Sequence, residues 1–284
     1  MKLISSPREM QRTADGFRRE GKRIGIVPTM GYLHEGHLSL LRIAGQHANI
    51  VVTTIFVNPL QFAPHEDFSR YPRDIERDTQ LAETAGTDIL FIPENNEMYS
   101  RDHTTYIVPE RIADVLEGKV RPGHFRGVAT VVAKLFNITK PHVAVFGQKD
   151  AQQALLMQRM VSDLNFDVEV IVAPIVREPD GLAMSSRNVY LHPEERAQSV
   201  VLSQSLQLAE KRIASGERNS GNIIAAMTNL ISSKPLAIID YISIANPHTL
   251  QELEEISIGA AVLISLAVRF GSTRLIDNTI VNVH

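Results

Sequence analysis

Two histidines lie three positions apart in the segment PTMGYLHEGHLSLL, residues 28–41. A short apolar run, residues 24–27, precedes the segment and an apolar-periodic run follows it, so His34 and His37 are predicted where a strand turns into a helix. Free N–H groups at a helix N-terminus attract anions, and nearby glycines let the backbone approach a ligand closely. The pattern predicts a phosphate site in which imidazole N–H groups hold a polyphosphate and stabilise a departing pyrophosphate.

The same pair of histidines admits two other interpretations. The zinc protease motif needs histidines at i and i+4 with a glutamate between them, and a third ligand elsewhere. Here the second histidine is at i+3 and a glycine intervenes, which disfavours zinc. Both imidazoles could also be ordinary polar side chains near a helix end.

Two later segments place cationic or hydroxyl side chains close to a glycine. Residues 146–150, FGQKD, follow an apolar run and begin a helical pattern. Lys149 would carry charge to a phosphate, and Asp150 would cap the helix or attract a magnesium ion. Residues 180–188, DGLAMSSRN, combine two hydroxyls and a guanidinium, which suit a mobile phosphate-binding loop. Read alone, the first segment is equally a capped turn and the second a polar interdomain loop.

Two other segments give weaker signals. Gln61, in NPLQF at residues 58–62, follows a predicted strand and could hydrogen-bond a small polar substrate, although most such glutamines lie on surface loops. Residues 121–127, RPGHFRG, are basic and glycine-flanked, so they could approach an anion or form an oligomer contact. A solvated loop is the alternative for this segment.

The elements that must position these residues follow from the periodicity of the chain. Strands are predicted at residues 24–27, 50–57, 88–92, 104–108, 142–146 and 168–172, and helices at 36–47, 71–85, 128–138 and 150–164. Continuously apolar strands separated by helices indicate a doubly wound parallel sheet covered on both faces. Ligands bind such sheets beyond the carboxyl ends of the strands, where the histidine, glutamine and lysine segments fall.

The character of the chain changes after about residue 176. Two amphipathic helices, at residues 193–215 and 222–232, come before strand-like runs at 238–245, 260–268 and 275–281. We therefore expect an α/β N-terminal domain at residues 1–175 and a smaller α+β C-terminal domain at residues 176–284.

Composition excludes several classes of function. The chain has 284 residues, no cysteine and a net charge of −3, so thiolate nucleophiles, disulfides and cysteine–zinc sites are excluded and bulk nucleic-acid binding is not expected. The sequence shows no signal-peptide core, and no run reaches the roughly 18 apolar residues of a transmembrane helix. We expect a cytoplasmic protein without membrane association.

The motifs together resemble those of a known family. The His-x-Gly-His pattern and the later Met-Ser-Ser-Arg loop resemble the two signatures of the nucleotidyltransferase superfamily, which includes class I aminoacyl-tRNA synthetases. More closely, PTMGYLHEGHLSLL, FVNPLQF, YPRD, RPGHFRGVATVV, FGQKDAQQ and DGLAMSSRN occur over residues 28–188 in the order that they have in the pantoate–β-alanine ligase (pantothenate synthetase) family.

This resemblance implies both a fold and a reaction. The fold is a Rossmann-like N-terminal domain with a small C-terminal lid domain, assembled as a homodimer. The reaction condenses pantoate with β-alanine, using ATP and Mg²⁺, and passes through a pantoyl adenylate to pantothenate, AMP and pyrophosphate.

The resemblance also implies site residues. The charge-stabilising catalytic groups are His34, His37, Lys149 and Arg187, and His37 is the family's usual candidate proton donor. The ATP site comprises Met30, Gly31, Tyr32, Leu33, His34, Glu35, Gly36, His37, Gly147, Gln148, Lys149, Asp150, Val176, Met184, Ser185, Ser186 and Arg187. Pantoate is held by Gln61 and Gln153 in a pocket shaped by Pro28 and Phe62, Gln61 also contacts β-alanine, and Asp150 is a candidate magnesium ligand. Residues 58–70 would form a gate over pantoate.

Two rival functions remain open at this stage. The chain could be another adenylyl- or nucleotidyltransferase that joins a different acid to AMP, although the context of Gln61 and Gln153 speaks against it. It could instead be a regulatory protein that binds a nucleotide without turnover, which the intact set of phosphate-binding residues disfavours.

Overall fold

The computed structural model describes residues 1–64 and 66–284. Contacts within the chain define two compact units, which are Met1–Gln148 with Gln152–Pro174, and Lys149–Ala151 with Ile175–His284. Each unit contains buried apolar clusters of its own, as expected for domains that fold around separate cores.

The first unit is built around a six-stranded parallel sheet with the strand order β1-β4-β3-β2-β5-β6. Its strands are β1 (Lys2–Ile4), β2 (Ile24–Thr29), β3 (Ile50–Ile55), β4 (Ile89–Phe91), β5 (Val143–Gly147) and β6 (Glu169–Ala173). The helices of this part of the chain are α1 (Pro7–Arg19), α2 (Glu35–His47), α3 (Ile75–Thr84), α4 (Asn95–Met98), α5 (Glu117–Val120), α6 (His124–Thr139) and α7 (Ala151–Asp163), with 3₁₀ turns at Pro59–Gln61 and Gln148–Asp150.

Helices cover both faces of this sheet. Ile24 and Ile26 of β2 pack in one apolar cluster with α1, α6 and α7, whereas Val27 packs in another with α2 and α3. Successive strand residues point to opposite faces, so a strand buried on both sides reads as a continuous apolar run. The predicted α/β class with a Rossmann-like parallel sheet is confirmed.

The second unit is smaller and antiparallel. Its strands are β7 (Ala237–Ala245), β8 (Ala261–Phe270) and β9 (Thr273–Asn282), and its helices are α8 (Pro193–Ser199), α9 (Val201–Ala214) and α10 (Ser220–Ser232), with a 3₁₀ turn at Ser186–Tyr190. The sheet order is β7-β8-β9. The single helix predicted over residues 193–215 is two helices that meet at Val200. The domain ranges 1–175 and 176–284 stay a prediction. In the structure, Lys149–Ala151 groups with the second unit.

The start of the helix predicted at residues 71–85 is wrong. The helix begins at Ile75, because the Asp74 carboxylate accepts the N–H of Arg77 (3.1 Å) and caps it. Arg73 instead donates to the carbonyls of Tyr71 and Phe68 (3.0 and 3.1 Å), so these residues belong to the preceding loop.

The strand predicted at residues 104–108 is not found. The N–H of Ile107 donates to the side chain of Thr130 (3.0 Å) on α6 rather than to a neighbouring strand. Conversely, β1 and α1 had no prediction, because a three-residue strand leaves too short a pattern and α1 buries only Met10 and Ala14, so its apolar face is narrow. None of the helices in residues 1–64 and 66–284 is long and apolar enough to span a membrane.

Candidate functional site

The predicted ATP-binding segments of the first unit follow two adjacent strands. β2 pairs with β3 on one side and with β5 on the other, so the order of the sheet reverses at β2. Residues 30–37 follow the carboxyl end of β2, and Gly147 and Gln148 lie at the carboxyl end of β5. This reversal point is where open α/β sheets bind ligands.

The turn after β2 has a backbone shape that requires glycine. Thr29 Oγ1 donates to the carbonyl of Thr54 (2.7 Å) and accepts the N–H of Gly31 (3.1 Å), which begins the turn. Gly31 has φ of 85°, and a Cβ there would lie 2.9 Å from Ile55 Cγ2 and 3.0 Å from Asp78 Oδ2. Both the dihedral angle and the close approach exclude a larger residue.

A buried carboxylate completes this turn. Asp78 of α3 is 1% exposed and accepts the N–H groups of Tyr32 (2.6 Å) and Leu33 (2.7 Å). Burial raises the pKa of Asp78, and the two N–H groups oppose that rise. Asp78 is not among the residues predicted from the sequence, although its position gave a signal: Asp78 and Ala82 form the buried face of α3, where an acidic residue is unusual.

The two histidines lie at the start of the helix that follows, and the His37 side chain caps it. His34 is the N-cap residue of α2, and its backbone N–H donates to His37 Nδ1 at 3.3 Å. The ring centroids lie 4.1 Å apart. Because His37 Nδ1 accepts in this arrangement, the proton of the neutral ring is on Nε2, which is a donor.

The first turn of α2 supplies backbone donors as well. The N–H groups of Glu35 and Gly36 are among those that have no acceptor within a helix. The Glu35 carboxylate hydrogen-bonds the Arg42 guanidinium, and this contact lowers the pKa of Glu35. The negative charge of Glu35 is thus offset by Arg42 on an exposed part of the helix, and the end of α2 suits an anion.

Gln61 is held by its neighbours in the predicted pantoate segment. Asn58 Nδ2 donates to Gln61 Oε1 (3.0 Å) and to the carbonyl of Gly127 (3.1 Å), and Gln61 Nε2 lies 3.2 Å from Met30 Sδ. A Cβ on Gly127 would lie 2.3 Å from the carbonyl oxygen of Leu60, so only glycine lets α6 pack this close to the turn. A thioether is a weak acceptor, so the Gln61 amide can still donate to a polar ligand.

The backbone of Gln61 is held by the RPGHFRG segment. Arg121 donates to both carboxylate oxygens of Glu66 (2.6 and 2.9 Å) and to the carbonyl of Gln61 (3.3 Å). His124 Nδ1 lies 2.9 Å from the same carbonyl, and its Nε2 lies 3.1 Å from Arg121 Nη1. A carbonyl only accepts and a guanidinium only donates, so His124 is neutral with its proton on Nδ1.

The solvated loop considered for residues 121–127 is therefore not what the structure shows. Arg121 and Glu66 are 15% and 16% exposed, and His124 is buried. Burial raises the pKa of Glu66, but the hydrogen bonds and charge of Arg121 outweigh this and bring the pKa below its ordinary value. The gate predicted at residues 58–70 includes residue 65, which lies outside the described residues, and its motion stays a prediction.

Gln152 and Gln153 of α7 have different surroundings. Gln152 is buried, accepts the N–H of Glu117 (3.0 Å) and donates to the carbonyls of Ile112 (2.7 Å) and Val115 (2.8 Å). Gln153, the predicted pantoate ligand, is partly exposed. Adjacent residues on a helix do not share a face, so the tethering of the 112–117 segment by Gln152 leaves Gln153 available to a ligand.

In the second unit, the structure brings several predicted nucleotide residues together. The N–H of Met184 donates to the carbonyl of Val176 (3.0 Å), so these two residues are adjacent. Ser185 caps the 3₁₀ turn by accepting the N–H of Arg187 (3.2 Å), and Ser186 within the turn is 6% exposed. Hydroxyl and guanidinium groups thus lie within one short turn.

Lys149 and Asp150 lie side by side in this unit. Their side chains are 3.9 Å apart between Lys149 Nζ and Asp150 Oδ1, and 22% and 51% exposed. Within residues 1–64 and 66–284, no group of three or more His, Asp or Glu side chains is arranged to hold a metal. Mg²⁺ usually takes one or two carboxylates and completes its shell with phosphate and water, so Asp150 fits as a single protein ligand to an ion carried by phosphates.

A doubly wound sheet with a helix N-terminus and two histidines at its reversal point, and a second unit with hydroxyl and guanidinium groups in one short turn, have the features expected of a protein that binds a phosphate-bearing ligand. A family model described as pantoate-beta-alanine ligase matches residues 2–280. The chain belongs to the pantoate–β-alanine ligase family, whose members form pantothenate by an amide-forming ligation.

Individual relatives agree with this assignment over their whole length. The chain is 54% identical to the pantothenate synthetase of Chloroherpeton thalassium over 279 residues, 98% of both chains. It matches the crystal structure of pantothenate synthetase from Thermus thermophilus with a TM-score of 0.91 and 44% identity, covering 98% of this chain and 99% of that one. It matches a Francisella tularensis pantoate-beta-alanine ligase, complexed with beta-gamma ATP and beta-alanine, with a TM-score of 0.82 and 34% identity, covering 98% and 97%.

Replacing Asp78 with asparagine should destabilise the first unit by about 2 to 3 kcal/mol, the effect of losing a charged acceptor for two backbone donors. The amide introduced by Asp78→Asn can accept from only one of the Tyr32 and Leu33 N–H groups, and its NH₂ group would face the other. Urea unfolding measures the change. Glu76→Gln, on an exposed position of the same helix, makes the same chemical change as a control. Equal stability of the two variants would contradict this account of Asp78.

His124 should make the protein less stable below neutral pH. Burial and the charge of Arg121 lower the pKa of His124 from 6.5 to about 4, while Glu66 and Glu117 oppose the shift. Between these values the unfolded chain binds a proton that the folded chain does not, so the unfolding free energy falls as the pH falls. From pH 7 to pH 5 this group should account for about 2 kcal/mol.

His124→Gln tests this pH dependence. Glutamine retains a donor for the Gln61 carbonyl and does not titrate. Urea unfolding of both proteins at pH 5 and pH 7 gives their free energies of unfolding. The change in this free energy between the two pH values should be smaller in the variant by about 2 kcal/mol. An unchanged difference would mean that His124 is protonated in the folded protein.

Proposed function

We propose that the chain condenses pantoate with β-alanine by first making pantoyl adenylate from pantoate and ATP. A carboxylate oxygen of pantoate attacks the α-phosphorus, and the bond to pyrophosphate breaks. The neutral amine of β-alanine then attacks the acyl carbon, AMP leaves with the electron pair of the broken carbon–oxygen bond, and the nitrogen releases a proton to solvent. The family membership and the anion-binding N-terminus of α2 support this scheme.

The first step must bring two anions together. We assign the neutralising role at the end of α2 to its backbone N–H groups and to the imidazoles of His34 and His37, with Met30–Leu33 lining the nucleotide site. His37 Nε2–H donates to a phosphate oxygen in the tautomer described above. Such fixed donors stabilise the charge that develops on pyrophosphate.

We assign the remaining phosphate contacts to Lys149, Ser185, Ser186 and Arg187. Their fixed charges and hydroxyls match the oxygen atoms of a polyphosphate. Mg²⁺, when bound to the phosphates, would neutralise further charge, and we assign Asp150 as its protein ligand. Gly147 and Gln148 complete the nucleotide site in the first unit, and Val176 and Met184 would lie beside the adenosine in the second.

Pantoate is assigned to Gln61 and Gln153, which would hold its hydroxyls and carboxylate, with Pro28 and Phe62 beside them. Gln61 would also meet β-alanine. The neighbours of Gln61 fix both its amide and its carbonyl, so Gln61 would present its amide to a substrate in one orientation. The homodimer, the lid role of the second unit and the cytoplasmic location stay predictions.

The direct test is pyrophosphate release from ATP and Mg²⁺ with D-pantoate and β-alanine, added separately and then together. Pyrophosphate with pantoate alone, followed by pantothenate and AMP after β-alanine, is the expected result. Release with another acid but not with pantoate would overturn the substrate and keep the adenylation. Binding of ATP without release for any acid would favour a regulatory protein.

Lys149→Ala should slow pyrophosphate release by at least about 100-fold, the scale observed when one charge-stabilising donor is removed. Lys211→Ala, an exposed lysine of α9, is the matched control and should behave like the native protein. Pyrophosphate release near the native rate in the Lys149 variant would contradict its phosphate role.

His37→Ala should mainly slow the first half-reaction, because its Nε2–H would act on the polyphosphate and not on the amine. Single-turnover measurements separate pyrophosphate release from the reaction of supplied pantoyl adenylate with β-alanine. His47→Ala, at the other end of α2, serves as the control. The assignment fails if both half-reactions slow equally in the His37 variant.

A further inference from the structure

Two adjacent residues near the end of the chain are connected to the predicted phosphate segments of the second unit, one directly and the other through Arg177. Asp277 and Asn278 lie on β9 and are 1% and 3% exposed. We propose that this dipeptide is a positioning element that sets the geometry of Lys149 and of the turn at 185–187 for catalysis. The proposal rests on the phosphate roles assigned above.

Asp277 acts through Arg177. Arg177 donates to both carboxylate oxygens of Asp277 (2.6 and 3.0 Å) and to the carbonyl of Gly181 (3.1 Å). Gly181 has φ of 96° and lies at the tip of a tight hairpin, in which Arg177 pairs with Ala183. The bidentate contact therefore fixes the side chain that closes this hairpin onto β9.

The hairpin leads directly into the predicted phosphate turn. Its last backbone contact is the N–H of Met184 to the carbonyl of Val176 (3.0 Å), one residue before Ser185. Asn188, after the turn, donates from its side chain to the carbonyl of Ala183 (3.2 Å). The turn is thus attached at both ends to a hairpin that Asp277 holds through Arg177.

Asn278 acts on the other segment. Its side-chain Nδ2 donates to the backbone carbonyl of Lys149 (2.9 Å), and its own N–H donates to Asp277 Oδ1 (2.8 Å). Fixing a carbonyl restrains the peptide plane beside Lys149 and leaves its ammonium group for other contacts. Asn278 and Asp277 therefore restrain the backbone at Lys149 and the hairpin that precedes the turn at 185–187.

A role in positioning explains why the carboxylate of Asp277, 1% exposed, is buried against a guanidinium that is 30% exposed. A buried ion pair adds little stability compared with apolar residues of similar size, because desolvation offsets the attraction. It does restrict geometry, because two parallel hydrogen bonds allow one relative orientation of guanidinium and carboxylate. Transition-state stabilisation by preorganised donors depends on such restriction.

Asn278→Ala is the first test, with Thr279→Val as the matched control. Thr279 donates to Glu210 on α9 (2.7 Å), so its variant loses a side-chain hydrogen bond of β9 without touching either phosphate segment. For Asn278→Ala, kcat/KM for ATP in pyrophosphate release should fall about tenfold, the effect of roughly one hydrogen bond, with KM for pantoate unchanged. The control should lose no activity, and both should melt within a few degrees of each other.

A pair of variants separates positioning from folding at Asp277. Asp277→Leu alone leaves Arg177 unpaired, and the protein should melt at a lower temperature. The double variant Arg177→Met with Asp277→Leu should recover the melting temperature, because it replaces the buried carboxylate and its partner together and leaves neither charge without the other. Adenylate formation should stay at least about tenfold slow in the double variant, because the hairpin has lost its directional contact.

The activity of Lys149→Ala distinguishes failure of the proposed function from failure of the positioning proposal. If that variant is slow but Asn278→Ala behaves like Thr279→Val, the positioning proposal is overturned and the assigned function stands. If the double variant recovers full activity along with its melting temperature, Asp277 contributes only to folding and the proposal is again overturned. If Lys149→Ala itself is fully active, the phosphate role fails, and the positioning proposal fails with it.

Discussion

The buried carboxylate of Asp78 determines how the first unit presents the N-terminus of α2. A negative charge next to a predicted phosphate site would oppose binding if it were exposed. Here its oxygens accept two backbone N–H groups of the turn after β2, so the charge orients the chain instead of facing a ligand. The glycine at position 31 follows from the same contact, because a side chain there would meet Asp78 and Ile55.

Polar side chains also fix backbone groups by hydrogen bonds in other parts of the molecule. Arg121 and His124 hydrogen-bond to the carbonyl of Gln61, and Asn278 donates to the carbonyl of Lys149. In each case a polar side chain hydrogen-bonds to the backbone carbonyl of a predicted ligand residue. Backbone groups that are already held by such partners lose little conformational entropy when substrate binds. Preorganisation of this kind favours the transition state.

Most of the fold could be predicted because it depends on local periodicity. Strands β2 to β5 of the parallel sheet are buried on both faces and stand out from amphipathic helices, and the motifs follow their carboxyl ends. The supporting contacts could not be predicted in this way. Arg121 and Glu66 are 55 positions apart, and Arg177 and Asp277 are 100 positions apart, so neither partner is visible from the sequence around the other. Asp78 alone left a local signal, as a charge on an apolar helix face.

The cap of α2 also restricts what His37 can do chemically. Residue 37 must accept the N–H of His34 and, in the assigned role, donate to a phosphate. Lysine and arginine only donate, so neither could fill both roles, whereas a neutral imidazole accepts at Nδ1 and donates from Nε2. An imidazolium would turn Nδ1–H towards the N–H of His34 and break the cap. A neutral Nε2–H that hydrogen-bonds the departing pyrophosphate keeps the cap intact, so the geometry favours charge stabilisation over the transfer of a proton from a charged ring.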